Sequence, residues 1–398
     1  LRNTLNRASA MPSFLHTLLD SPGPSGFEPA PAKLWRQEAT SFADDVQADV
    51  HGNSYASLFA AGRDSRLTNR GSQVTGRGAE APKTRDPRPA TTIMFAGHID
   101  EIGLMVVHID DDGFLTFDAI GGWDSQVFVG QRVTLLGRAG AVPGVIGKKA
   151  IHLMDKDDRD KVSKTQDLWI DIGARKRAEA EKLVRVGDAG VLTSKVEELP
   201  IGRIVSRALD NLVGAYVVLQ ALRLLAGSKE TEEKRKGGKR KGAAGRGKGT
   251  TLQANVTAVA TTQEEIGSTG GGARTSATSL DATVAIAVDV THATDYPGVE
   301  KRKHGDFKLG GGPVLSRGSA VNPVVFELLV EAAEREKIPY SVEAAPRATH
   351  TDADNIFTAH RGVATGLVSV PLRYMHSPNE MVALEDLERA ARLLAAFA

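Results

Sequence analysis

The sequence predicts an α/β fold: a mostly parallel central sheet flanked by helices, with a small β-rich domain, barrel or PDZ-like, inserted into it. Three observations predict it. Apolar strand runs at 91–96, 256–260, 282–288 and 366–370 alternate with helical patterns, the arrangement that builds parallel sheets. Between 109 and 203 this alternation gives way to short β-like runs punctuated by Gly and Asp turns. The length, 398 residues, suffices for one large core and a second, smaller one. The predicted division is therefore a catalytic α/β domain over 1–108 and 204–398 and a β-rich domain over 109–203.

Taken in order, 1–10 is polar and is expected to fray, and Met11 is a candidate natural start. A short amphipathic helix from Met11 is stopped by Pro22 and Pro24. Alternation from Phe42 to Leu58 predicts strands around the turn at Gly52-Asn53. The buried strand at 91–96 ends in Gly97-His98-Ile99-Asp100. Within the β-rich part, 114–117, 132–136 and 168–172 read as strands and Lys176 to Val184 as a short helix. His108 and His152 read there as surface or satisfied core histidines. Beyond it, an apolar helical face follows Asp210, which leaves open a plain N-cap role for that residue. Asn322-Pro323 opens a helix running to about Lys337. Tyr340 to Glu343 is a strand, and Ser377-Pro378-Asn379-Glu380 reads as a capping box for a closing helix over 381–397.

The net charge of +1 hides an uneven distribution. Residues 62–90 carry seven Lys/Arg against three acids, and 229–249 carry nine against three. Both are rich in Gly and poor in apolar residues, so they read as flexible basic surface insertions. A nucleic-acid partner is disfavoured, because the basic run has no aromatic residues for stacking. The absence of cysteine excludes disulfides and thiolate metal sites, which leaves His, Asp and Glu as metal ligands. No run of 18–20 apolar residues and no secretory pattern is evident, so a cytoplasmic enzyme with no membrane partner is the expectation.

The chemistry centres on Thr261-Thr262-Gln263-Glu264-Glu265-Ile266-Gly267. In an extended segment successive side chains point to opposite sides, so one glutamate is expected to bind a metal while the other faces a water. Adjacent glutamates are common on solvated turns, and the pair alone decides little. Position strengthens it. His98, Glu264 with Glu265, and Asp289 each follow an apolar strand run, His376 follows one by a short segment, and Asp210 stands at a helix start. Ligands of parallel sheets gather beyond the carboxyl ends of the strands. Two histidines and several carboxylates without sulfur suit paired Zn, Co or Mn ions. Such a pair needs a bridging carboxylate and acidifies a water, whose proton an unligated carboxylate accepts. Asp100 is placed to receive the other ring N–H of His98.

These residues lie in ordered motifs: AGHIDEIG at 96–103, IGGWDSQVFVGQRV at 120–133, PGVIG at 143–147, LWIDIGA at 168–174, ALDNLVGA at 208–215, TTQEEIGSTGG at 261–271, AVDVTHATDYPG at 287–298, THTDA at 349–353 and VPLRYMHSPNE at 370–380. With them the sequence resembles the tetrahedral (TET-type) aminopeptidases, a dinuclear metallopeptidase family that includes glutamyl and deblocking aminopeptidases. The resemblance runs from about Met11 to Ala398, apart from the basic insertions. It implies two divalent ions per chain, with His98 and His376 as terminal ligands, Asp210 as bridge, and Glu265 and Asp289 completing the two spheres. It further implies Glu264 as general base and Asp100 as the residue orienting His98. Peptide substrates, a dimerising role for the β-rich domain and assembly of dimers into a hollow dodecamer follow from the same resemblance. The family's usual Arg two residues after the bridging Asp is here Leu212. The expected activity is removal of N-terminal residues from peptides by a metal-activated water. A catalytically silent peptide-binding shell is the alternative, with an endoglucanase-type glycoside hydrolase, which would need two carboxylates and no metal, behind it.

Overall fold

The computed structural model describes residues 10–60, 91–237, 252–267 and 271–398. Most of the two basic segments expected to be surface insertions therefore lies outside the described residues; the helix Leu209–Gly237 extends into the beginning of the second.

Eight strands form the main sheet, in the order Asp45–Ala48, Ser54–Leu58, Asn255–Thr261, Thr92–His98, Val284–His292, Ala364–Leu372, Val314–Gly318 and Ser341–Ala345. The middle four are mutually parallel, and antiparallel pairings join them to the flanking strands on either side. The middle strands are continuous apolar runs because both of their faces are covered. One core joins this sheet to the helices Ser13–Asp20, Pro29–Ala39, Pro323–Arg335 and Leu384–Phe397 and to the long helix after Asp210. Asn322 caps Pro323–Arg335 as its sequence predicts, its carbonyl oxygen accepting from Val324 and Val325 N–H.

The long helix corrects one expectation. Its Leu209–Gly227 stretch has a mean hydropathy of 1.3 and is long enough to cross a membrane. Packing accounts for that apolarity, since 83% of the stretch is buried against the sheet and neighbouring helices. Backbone approaches backbone there: a Cβ on Gly97 would lie 2.5 Å from the carbonyl carbon of Gly214.

The inserted β-rich part is a closed antiparallel barrel of six strands, ordered Gly103–Ile109, Leu115–Ile120, Trp169–Asp171, Gly140–Gly147, Arg132–Gly137 and Ala189–Leu192. It has its own core, built on Leu104, Leu115, Phe117, Phe128, Leu135 and Ile170. A three-stranded sheet, Glu197–Leu199, Arg203–Ser206 and Glu380–Ala383, lies where the chain leaves the barrel. Its last strand replaces the expected start of the closing helix. That helix begins at Leu384, and no side chain caps it.

Candidate metal centre

Three of the four parallel strands deliver His98, the twin glutamates and Asp289 to one crevice, which Asp210 and His376 complete from other segments. His98 ends the strand Thr92–His98, and the twin glutamates follow the end of Asn255–Thr261. Asp289 lies within its strand, which continues to His292, rather than closing it as the sequence suggested. It still reaches the crevice, because the ladder between Val284–His292 and Thr92–His98 stops at the pair Ala287 and Ala96. Beyond that pair the strands part, and Asp289 and His98 stand in the gap.

His98, Asp210, Glu265, Asp289 and His376 converge there with Glu264. His98 Nε2 lies 3.3 Å from Asp210 Oδ1 and 3.8 Å from both Glu264 Oε2 and Asp289 Oδ1. His376 Nε2 lies 3.6 Å from Asp210 Oδ2 and 3.5 Å from Glu265 Oε2. The two oxygens of Asp210 thus face different imidazoles. Asp100 sits behind: its Oδ1 is 3.4 Å from His98 Nδ1, and its two oxygens accept the N–H groups of Glu264 and Glu265 at 3.2 and 3.1 Å. Asp100 therefore sets both the imidazole and the turn that carries the glutamates: its backbone oxygen, 3.2 Å from His98 Nδ1, and its carboxylate face the imidazole, and the carboxylate holds the turn. His108 and His152 are exposed on the barrel and take no part.

Local structure explains two departures from the expected geometry. Glu264 and Glu265 do not point to opposite sides; Gln263 has φ of 60°, which ends the extended run, and both side chains line the same cavity. Asp210 is not the helix cap. Asp210 and Asn211 lie outside helical geometry, and Asn211 Oδ1 accepts the N–H of Gly214 at 2.9 Å. Asn211 caps the helix, and the carboxylate of Asp210 is left for the crevice. Leu212, where the family's arginine would stand, is buried in the core.

Two further acids were not expected. Glu380 accepts the N–H of Asp210 at 3.0 Å and that of His376 at 2.8 Å. Asp352 is buried, accepts the Thr261 hydroxyl at 2.5 Å and opens the short helix Asp352–Ile356. THTDA at 349–353 was the available signal for Asp352. VPLRYMHSPNE at 370–380 was the available signal for Glu380, whose capping-box spacing hid its bonds to His376, four residues before it, and to the distant Asp210.

So many acids in one low-dielectric crevice cannot all ionise unaided. Burial pushes Glu264 up to about 9, with His98 offsetting part of the rise and Asp289 adding to it. Burial, with Asp210 nearby, holds Glu265 well above the usual range, and burial does the same to Asp289. Asp352 is raised by burial to about 6. Asp210 goes the other way, because His376 and His98 outweigh its burial. Glu265 Oε1 is buried with no hydrogen-bond partner. Excess carboxylate and an unpartnered buried oxygen are what a divalent cation relieves, and ligand atoms of His98, Asp210 and Glu265 all lie within 4.8 Å of one another. The residues present fit a metal.

The crevice opens into a cavity of about 430 Å³ that continues over the sheet face toward Ser316 and Glu343. Fold and site together define a metallo-aminopeptidase, a hydrolase acting on peptide bonds. Residues 82–233 and 242–393 match the M42 glutamyl aminopeptidase model, and the chain belongs to that family. It is 31% identical over 386 residues to the lysyl aminopeptidase of Pyrococcus furiosus, covering 96% of this chain and 94% of the relative. Among solved structures it resembles a TET aminopeptidase from a marine sediment Thaumarchaeota archaeon, with 30% identity, TM-score 0.78 and coverage of 96% and 94%. It also resembles the Pyrococcus horikoshii TET1 peptidase, with 27% identity, TM-score 0.74 and coverage of 97% and 98%; that protein can assemble into a tetrahedron or a large octahedral shell.

Proposed function

We propose that the chain removes N-terminal residues from peptides with two divalent ions, Zn or Co foremost and Mn acceptable. The observation that carries this is Asp210, with one oxygen toward His98 and the other toward His376. In this reading Asp210 would serve both ions, with His98 and Asp289 holding one and His376 and Glu265 the other. When bound, the ions would polarise the substrate carbonyl and acidify the attacking water.

The chain's own residues supply the rest. Glu264, beside His98 in the crevice, takes the proton from the attacking water and delivers it to the leaving amine. Asp100 holds His98 Nδ1 and keeps Nε2 directed at the centre. Asp210 stays ionised through the two imidazoles, as a bridge must.

Relatives form TET shells, and we propose the same for this chain, with the barrel as dimerising element. Ile151, Leu153 and Val162 are exposed apolar residues of that part of the chain and suit such a contact. The reading is tested by stripping the protein with a chelator and assaying aminoacyl and glucan substrates. Loss of peptide cleavage, restored by Zn or Co, is expected. Metal-independent cleavage of a glucan would replace this reading with glycoside hydrolysis.

A further inference from the structure

The cavity has two chemically different ends on one sheet face. Asp289 and Thr291 are two residues apart on the same strand, so their side chains share a face about 6.6 Å apart along it. Ser369 pairs with Asp289 on one side and with Val314 on the other. Ser316, two residues after Val314, is paired with Glu343. Asp289, Thr291, Ser369, Ser316 and Glu343 therefore share that face, and all five line the cavity.

Glu343 marks the end away from His98 and His376. Its Oε1 accepts the Thr291 hydroxyl at 3.1 Å. Among the described residues no Lys or Arg bridges to it, and His292 is the one basic group near enough to favour its charge. Ser316 is 2% exposed, and its buried hydroxyl makes no hydrogen bond of normal geometry, although it lies close enough to help hold the charge of Glu343. Burial raises the Glu343 carboxyl above the usual range, and the Thr291 hydroxyl and His292 offset part of that. A half-buried carboxylate that accepts from Thr291, lies beside the Ser316 hydroxyl and keeps acceptor capacity to spare is complementary to an ammonium or guanidinium donor. Thr291, which Glu343 contacts, stands about 6.6 Å along the strand from Asp289, a span that the four-carbon stem of a lysine can cover, with its methylenes against lining residues such as Leu367 and Ala344.

We propose that this end of the cavity, with Glu343 as its specificity-determining residue, receives the side chain of the substrate's first residue and selects lysine or arginine there. The inference rests on the aminopeptidase reading above. It places the scissile bond at the histidine end and the basic side chain against Glu343 and Thr291. An acidic first residue is repelled, and an apolar one supplies no donor to the remaining acceptor capacity of Glu343.

Two measurements test it on the metal-loaded protein. In the first, kcat/KM is compared for Lys, Arg, Leu and Glu p-nitroanilides in the wild type, Glu343→Gln and Glu343→Lys. Lysine and arginine should exceed leucine by about tenfold or more, that ratio should collapse in Glu343→Gln, and Glu343→Lys should favour the glutamyl substrate. In the second, calorimetry compares L-lysine with L-norleucine, which lacks only the ammonium group. Lysine should bind about tenfold more tightly, and Glu343→Gln should erase the difference. Turnover with a preference for leucine or glutamate in the wild type, or an unchanged Lys/Leu ratio in Glu343→Gln, overturns this inference and leaves the aminopeptidase reading standing. Absence of turnover on every substrate overturns the aminopeptidase reading and this inference with it.

Discussion

Glu380 Oε2 accepts the backbone N–H of Asp210 at 3.0 Å, across 170 residues of sequence. Its other oxygen takes the N–H of His376. One buried side chain thereby holds both Asp210, the proposed bridge, and His376. Glu380→Ala is expected to lower metal affinity about 10–100-fold, the usual effect of removing an outer partner of a ligand. Competition with a chelator of known affinity measures it. Unchanged affinity in a folded variant rules the role out.

Glu264 separates chemistry from binding. Glu264→Gln keeps the size of the side chain and removes its capacity to accept a proton. Its kcat should fall about 10²–10⁴-fold, the range for a lost general base, while metal content stays that of the wild type. Comparable turnover in the variant would refute the assignment; loss of metal would instead make Glu264 a ligand.

The acids of the crevice give the metal-stripped protein a characteristic pH dependence. Glu264 binds its proton more tightly when folded, with a value of about 9 against an ordinary 4.5, so folding loses stability as pH rises between those values. Glu265 and Asp289 are raised in the same sense. His98 is also raised, despite its burial, by Asp100 and Asp210, so the stability from its charge is likewise lost as pH rises. Asp210 and Asp100 are lowered, and their window lies below the ordinary carboxylate range. From pH 6 to 9 the Tm of stripped protein should therefore fall more steeply than that of metal-loaded protein. Parallel curves would mean that no cation offsets these charges.

Gly97 precedes His98 and meets the helix that follows Asp210 with no room for a side chain. A Cβ there would lie 2.5 Å from Gly214 C and 2.7 Å from Ala215 N, both backbone atoms. Gly97→Ala should cost about 1–3 kcal/mol through the forced shift and also weaken metal binding, because strand and helix carry ligands on opposite sides of the contact. Denaturant unfolding and a metal titration check the two effects; wild-type values in both would show that the contact yields without cost.

Much of this was legible in the sequence, and the failures have physical causes. Apolar runs ending in His98 and in the twin glutamates announced strands and placed polar groups at their ends. Asn322-Pro323 announced a helix, and the helix is there. Glu380 was misread, because Ser377-Pro378-Asn379-Glu380 has the spacing of a capping box while the carboxylate is taken by Asp210 and His376. Asp210 looked like a cap because it precedes an apolar helix, and its neighbour Asn211 has that role. Alternation failed at Glu264 and Glu265 because the chain turns at Gln263. A distant contact at Glu380, a one-residue shift of the cap at Asp210 and a left-handed residue at Gln263 outweighed the local pattern.

The most direct measurement is the metal-to-chain ratio of purified, Zn-saturated protein, taken by elemental analysis for the wild type and for Asp210→Asn. A shared bridging carboxylate requires two ions per chain in the wild type, with both weakened together in Asp210→Asn to one or fewer. A ratio of one or zero in the wild type, or two firmly held ions in Asp210→Asn, contradicts the dinuclear centre built on Asp210.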